Sequence, residues 1–438
     1  MSMPPVAPRM KPLSPRKSAV VAVLDVGSSK TVCLIAKLVP VEASDLLRGR
    51  THRARILGIG HQRSRGIKSG IVVDLEEAES AIRLAVDAAE RMAGLEIEGV
   101  IVNCSGGRLG SQLYSAQVDV GGREVGEGDI HRVLEAASAR TSRQGACVLH
   151  SLPTGFALDG ASAIRDPKGM LGQLLGADLH VVGCDAAVAR NLMLAVERCH
   201  LRVEAMVATP YAAGLAALVD DEAEMGAALI DMGGGTTSVG VFAGGFLTHV
   251  DAIAVGGNHI TMDVARGLST RLADAERMKV LYGSCIPSSS DDRETIAVSP
   301  VGDDSERPNH LPKSHLVRII KPRVDEILEL ARDRLKAAGF AAHAGRRLVL
   351  TGGTSQLTGL PEAARRVLSA QVRIGRPLGV QGLPESAKSP AFSAAVGLLV
   401  YPQTAGVEYF EPHRRGLASD GDGNGYMMRV GRWLKESF

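Results

Sequence analysis

The chain has no excess of charge of either sign: 50 Lys and Arg against 48 Asp and Glu leave a formal charge of +2 over 438 residues. A general basic field for phosphate backbones is therefore absent, and no nucleic-acid partner is expected. Patterned cysteine is missing too. The six cysteines, Cys33, Cys104, Cys147, Cys184, Cys199 and Cys285, form no C-x-x-C pair and no Cys/His cluster at metal-ligand spacing. Reduced, buried thiols in a cytosolic protein are expected, not disulfides or a zinc site. No run of roughly 18 apolar residues could span a bilayer, and Asp25 interrupts the short apolar stretch after Lys17 before it could serve as a secretory signal. No Gly-Lys dipeptide occurs, which removes a Walker A loop. No G-x-G-x-x-G follows an apolar strand either, which disfavours a Rossmann dehydrogenase.

What remains is ordinary globular composition, 45% hydrophobic and 22% charged, at a length suited to about two to four domains. Residues 1–18 carry five prolines with Arg9, Lys11, Arg16 and Lys17 and no periodicity, so they read as a disordered basic arm. Order begins with two apolar runs, Ala19 to Asp25 and Thr31 to Leu38, that read as a buried β-hairpin. Leu75 to Met92 has helical periodicity. The stretch 97–176 mixes strand-like runs, Gly-rich turns and one helix near Asp129 to Ala139, and reads as an inserted α+β module. Helix Asp185 to Cys199, strand Val203 to Val207 and helix Pro210 to Val219 follow, before a second apolar hairpin opens at Ala227. Residues 287–314, rich in Ser, Pro and Asp, read as an exposed loop. Leu316 to Ala338 reads as a helix with Pro322 in its first turn. Arg347 to Thr351 is a strand, Leu360 to Ala370 a helix, Phe392 to Tyr401 an apolar helix, and 403–424 a polar linker.

The chemistry sits in an internal echo. Val21-Ala-Val-Leu-Asp25-Val-Gly27-Ser28-Ser29-Lys30-Thr31 recurs as Ala227-Ala-Leu-Ile-Asp231-Met-Gly233-Gly234-Gly235-Thr236-Thr237. Each copy is an apolar strand ending in Asp, then a turn of Gly and small hydroxyl residues. Such turns can aim successive backbone N–H groups at phosphate oxygens, because no bulky side chain blocks the approach. Asp25 and Asp231 are then placed to hold Mg2+ through water. Either copy alone would pass for an ordinary hairpin turn; the repetition favours a phosphate site shared by two halves.

Paired Asp-Gly hairpins resemble the actin, sugar-kinase and heat-shock-chaperone superfamily. That resemblance implies an α/β, actin-like, two-lobed fold with duplicated RNase H-like cores, and ATP as ligand. It implies a nucleoside loop at Leu350-Thr-Gly352-Gly353, and contact of Glu276 and Lys279 with the ribose. Within the superfamily, Asp25-Val-Gly-Ser-Ser-Lys-Thr, Gly66-Ile-Lys-Ser-Gly-Ile, Asp231-Met-Gly-Gly-Gly-Thr-Thr, Gly256-Gly-Asn-His-Ile-Thr-Met-Asp and Leu350-Thr-Gly-Gly resemble the FtsA family of bacterial cell-division proteins, over about residues 19–402 and the extreme C-terminus. The likeness divides the chain into a first lobe at 19–96 and 177–220, the insert at 97–176, and a second lobe at 221–257, 258–345 and 346–402. It implies an ATP-binding filament that polymerises on the cytoplasmic face of the membrane at the division site, ties the FtsZ ring to it and recruits other divisome proteins. Ile319 to Ile327 resembles the family's FtsZ-contacting segment, which implies Arg323 as an interface residue; a solvated helix face is the other reading. Relatives often carry a carboxylate before the Pro of the connecting helix to orient the attacking water; here Thr209 precedes Pro210 and cannot act as that base. No catalytic residue is assigned, and slow hydrolysis is expected. A small-molecule kinase of the same superfold is the alternative, although no motif supplies its substrate base; a pilus-assembly or rod-shape relative would share the fold and polymer habit.

The last thirteen residues, 426–438, hold the sole Trp of the chain. Wound at about 100° per residue, they place Tyr426, Met427, Val430, Trp433, Leu434 and Phe438 on one arc and Arg429, Arg432 and Lys435 opposite. At roughly 20 Å the helix is too short to span a bilayer core of about 30 Å. It would lie in the interface, rings buried and guanidinium groups on anionic phospholipid. Packing on the protein itself or on a partner is the other reading, and Met428 falls on the basic face unexplained.

Overall fold

A computed structural model describes residues 6–41, 50–141, 145–301, 308–340 and 346–409. Two sheets repeat one topology. In the first, Arg202–Ala208, Gly99–Cys104 and Ala19–Val26 run parallel, and Lys30–Pro40 and His52–Arg63 follow antiparallel. In the second, Gln371–Ile374, Arg347–Thr351 and Ala227–Met232 run parallel, and Thr237–Ala243 and Phe246–Ile253 follow antiparallel. The sequence echo is thus a structural one: both Asp-bearing strands are the third strand of their sheet. Their β-branched and aliphatic runs are covered on both faces, as strands flanked by parallel neighbours require. Each lobe closes on its own core, around Leu24, Leu34 and Ile82 in the first and Ile230, Ile320 and Leu350 in the second.

The insert hangs from the second sheet. Strands Gly110–Asp119, Leu174–Asp185, Ala146–Leu158 and Ala161–Ile164 extend it beyond Phe246–Ile253 through a single residue pair, Asp251 with Gly110. Ser111 reinforces that junction, its Oγ accepting from Val250 N at 2.7 Å. The insert's helix, Glu127–Ser138, buries Val133, Leu134 and Ala137 in a third core. Gly99–Cys104, expected within the insert, belongs to the first sheet between Ala19–Val26 and Arg202–Ala208.

The termini differ from expectation. Among the described residues of the N-terminal arm, Val6 and Ala7 are buried, the Ala7 N–H donates to Val148 O at 2.9 Å, and Pro8 O accepts from Met206 N at 3.2 Å. Residues 6–8 thus form an extended strap along two strands, while Lys11, Pro12 and residues 14–18 stay exposed. At the other end, residues 403–409, expected in the linker, are part of the folded structure. Helix Ser393–Thr404 and the turn Ala405–Val407 are ordered, and Glu408 is buried against His150.

Two further expectations change. Within 287–314, strands Thr295–Val298 and Asn309–Pro312 pair as a hairpin that buries Ile296 and Val298. The long helix starts at Lys313, so Pro322 lies inside it. Burial of Ile320, Val324, Ile327 and Leu328 around the proline offsets a local cost of about 3 kcal/mol.

Candidate functional site

Between the lobes lies a cavity of about 510 Å3 walled by Asp25, Gly27, Ser28, Ser29 and Lys30 on one side and Asp231, Gly233, Gly234, Gly235 and Thr236 on the other. The two turns close alike: Gly27 N donates to Lys30 O at 3.0 Å, and Gly233 N to Thr236 O at 2.9 Å. They also abut. A Cβ on Gly235 would stand 2.4 Å from Ser28 Oγ, so the second turn can meet the first only as glycine. Asn258 Nδ2 donates to Ser28 O at 3.4 Å, and Gly70 N to Ser28 Oγ at 3.0 Å. Thr237, expected with this group, is elsewhere. It is fully buried and its hydroxyl donates to Val255 O at 2.8 Å, holding the strand rather than facing the cavity.

Glu276, Lys279, Gly352 and Gly353, expected to meet a nucleoside, line the same cavity. Gly352 has φ +83°, and a Cβ there would fall 2.2 Å from Asp231 Oδ1, so the strand Arg347–Thr351 can turn beside the aspartate only through glycine. Lys279 bonds Glu276 Oε2 at 2.7 Å, Thr261 Oγ1 at 2.8 Å and Gly257 O at 3.1 Å. Its three protons are therefore committed within the wall, and it braces the half-exposed Glu276.

Burial sets the electrostatics. It raises the Asp25 carboxyl to about 6, against the opposing pull of Lys30. Asp231 rises to about 7 through burial and then repulsion from Asp25. Burial lowers Lys30 to about 8, although both aspartates favour its charge. The Lys30 ammonium sits 3.4 Å from the centroid of the Phe392 ring, with no hydrogen-bond partner among the described residues. Two facing carboxylates, glycine turns and a cation without a bonded partner fit a magnesium-bound polyphosphate: the aspartates suit a hydrated Mg2+, and Lys30 and the turn amides suit phosphate oxygens.

Sequence reasoning missed Asn103, whose Oδ1 accepts from Val26 N at 2.7 Å and whose Nδ2 donates to Thr209 Oγ1 at 3.2 Å. The signal was there, a polar residue closing the apolar strand Gly99–Cys104. Thr354 donates to Gly233 O at 2.9 Å, and no local pattern marks it, since only the fold brings it across. Arg323 lies away from the cavity. It grips Asp263 through Nε at 2.5 Å and also pairs with Glu326, and these contacts raise its pKa further. Tyr426, Met427, Arg429, Val430, Arg432, Trp433, Leu434, Lys435 and Phe438 lie outside the described residues.

A family model described as cell division protein FtsA matches residues 228–397, and one described as the SHS2 domain inserted in FtsA matches residues 106–183. The cell division protein FtsA of Agrobacterium fabrum is 56% identical over 432 residues, covering 98% of each chain. The chain belongs to the FtsA family. The FtsA of Escherichia coli K12 is 33% identical over 423 residues, covering 95% of this chain and 97% of its own. Among solved structures, a PilM-PilN type IV pilus biogenesis complex matches with TM-score 0.58 at 16% identity, covering 87% of this chain and 98% of its own. MreB5 of Spiroplasma citri bound to ADP matches with TM-score 0.51 at 14% identity, covering 89% and 98%. These two establish the fold, which is actin-like. Membership of the FtsA family makes the chain a cell-division protein, with the SHS2 insert where a separate α+β module was expected.

Proposed function

We propose that this FtsA-family chain binds ATP with Mg2+ in the interlobe cavity, polymerises at the cytoplasmic membrane of the division site, and anchors the FtsZ ring there. The observation that carries the nucleotide reading is the mirrored pair of turns, each closed by the same Gly-to-fourth-residue bond, with Lys30 between their two aspartates. In this reading the amides of Ser28, Ser29, Gly234 and Gly235 donate to phosphate oxygens, and Lys30 neutralises them. Mg2+, when bound, supplies charge compensation between the phosphates and the two carboxylates. Closing both turns on one ligand draws the lobes together, which favours the conformation that stacks into a filament.

At the head of the connecting helix, Thr209 is 5% exposed and receives the Asn103 amide. No carboxylate stands at that position, so ATP would act as a switch for assembly, with turnover below the ordinary enzyme range of about 1 to 1,000 per second. The segment 426–438 supplies lipid attachment, weak singly and strong when a filament presents many copies. The surface of the long helix around Arg323 faces FtsZ, and the insert recruits other divisome proteins.

The test is sedimentation with vesicles containing anionic lipid, with and without ATP and Mg2+, with phosphate release followed in the same tubes. Pelleting should rise with ATP while release stays slow, and deletion of 426–438 should abolish pelleting with ATP binding intact. Rapid release, or pelleting that survives the deletion, would remove those parts of the reading.

A further inference from the structure

A second cavity, about 350 Å3, lies away from the nucleotide cleft, where the two lobes and the insert meet. Its floor is apolar: Tyr211, Leu218, Phe242, Leu247 and Val400 are all buried. Two apolar side chains stand at its mouth beside the ion pair Arg165–Glu224. Val219 is 38% exposed and Val407 is 55% exposed. A concave site of this size, with hydrophobic walls reaching solvent, suits one or two aromatic side chains rather than water.

The end of the described chain is fixed on the wall of this cavity. Val407 lines it, and the next two residues are pinned to the insert strand whose Leu152 and Pro153 form another wall. Glu408 accepts from His150 Nδ1 at 2.9 Å, while Nε2 of the same ring accepts from Ala208 N at 2.9 Å. The Tyr409 N–H donates to Ser151 O at 2.8 Å. Sixteen residues, 410–425, then separate this anchor from the apolar arc that begins at Tyr426. A Gly-rich chain of that length, taken as a coil, spans about 22 Å, so the segment 426–438 meets the cavity at an effective concentration in the millimolar range.

We propose that this cavity docks the chain's own C-terminal segment, residues 426–438, by accepting ring side chains of its apolar arc, Trp433 foremost. The same arc cannot enter lipid and the cavity together. Docking therefore holds back lipid attachment of single subunits, and this consequence alone rests on the membrane reading above.

Trp433 is the only tryptophan in the chain, so the intrinsic fluorescence of the full-length protein reports its surroundings directly. In dilute, lipid-free, nucleotide-free protein, emission should be blue-shifted, and acrylamide quenching several-fold weaker than for free N-acetyltryptophanamide. Val219→Lys and Val407→Lys, both at exposed positions of the mouth, should leave the melting temperature within a few degrees and bring quenching up toward the free value. Both should also raise binding to phosphatidylglycerol-containing vesicles about threefold or more. An accessible Trp433 in the lipid-free protein overturns docking, whatever the vesicles show. Shielding that grows with protein concentration overturns it in favour of a second copy's cavity, and shielding that neither variant relieves places the segment elsewhere. Shielding relieved by both variants, with no vesicle binding by any form, supports docking and removes the membrane reading.

Discussion

Lys30 is held by charge and by a ring face rather than by hydrogen bonds. Asp25 and Asp231 pull on its ammonium from the two lobes while Phe392 lies beneath it, an arrangement that leaves its protons for a ligand. The pH dependence follows from the raised carboxyls, near 6 and 7. Folded values above the unfolded value of about 3.9 mean that the folded state holds the extra protons, so their contribution is complete below about pH 4 and is lost as pH rises through the folded values. Lys30, depressed to about 8, acts in the other direction only above that pH. The nucleotide-free protein should therefore lose stability between about pH 4 and 7. Asp231→Asn should flatten that slope, gaining roughly 1 to 3 kcal/mol at pH 8, and should weaken Mg-ATP binding at least tenfold. Thermal melts across pH with and without Mg-ATP would show it, and an unchanged slope in the variant would mean that the two carboxylates do not strain the empty cleft. Lys30, both aspartates and their turns were legible because the pattern recurs in sequence. Phe392 was not, since nothing local marks a ring that the fold carries to a lysine 362 positions away.

Among the elements, the crossing of helices Thr209–Ala217 and Ser393–Thr404 joins the two halves. Both are apolar nearly all round and built from small residues. At their contact a Cβ on Gly397 would lie 1.7 Å from Ala212 O, so only glycine allows the backbones to meet. Gly397→Val should push the helices apart, lower stability by about 2 kcal/mol or more, and reduce nucleotide affinity by misaligning Asp25 and Asp231. Calorimetry and nucleotide titration would check both; affinity retained at wild-type level would show that the crossing does not set the cleft. The existence and type of these helices were legible from composition. Two misreadings share one physical cause. Pro322 reads as a helix start, and 287–314 as loop, only while the apolar neighbours that bury Ile320, Ile296 and Val298 are out of view. Strand His52–Arg63 went unread because burial alternates along it only once the strand Lys30–Pro40 and the helix Leu75–Ala93 cover it.

At the scale of the molecule, both ends of the described chain converge on the insert strand Ala146–Leu158. The N-terminal strap bonds Val148, and Glu408 and Tyr409 bond His150 and Ser151. The strap continues to the crossing helices, where Leu13 N donates to Pro402 O at 3.3 Å. The insert is joined to the second lobe by one strand pair, the Ser111–Val250 hydrogen bonds and the Arg165–Glu224 ion pair, and the terminal contacts add to this narrow junction. Removing residues 1–13 should lower the melting temperature by a few degrees and speed hydrogen exchange in Ala146–Leu158 by tenfold or more, with the nucleotide site unaffected. Exchange unchanged in that strand would show the strap to be dispensable.

By itself the sequence determined the actin-like duplication, the placement of two aspartates and their two glycine-rich turns, and the position of the single tryptophan. These are local patterns, a strand, a turn or a single residue, each complete within a dozen residues. The tertiary structure alone decided that Thr237 faces a strand rather than the cleft, that Asn103 and Thr354 reach the site, that Arg323 is gripped by Asp263, and that Val6 and Ala7 of the proline-rich arm are buried against the insert. Each of these depends on a partner far away in the chain, and burial or a hydrogen bond is a property of the pair, which no single stretch of residues contains.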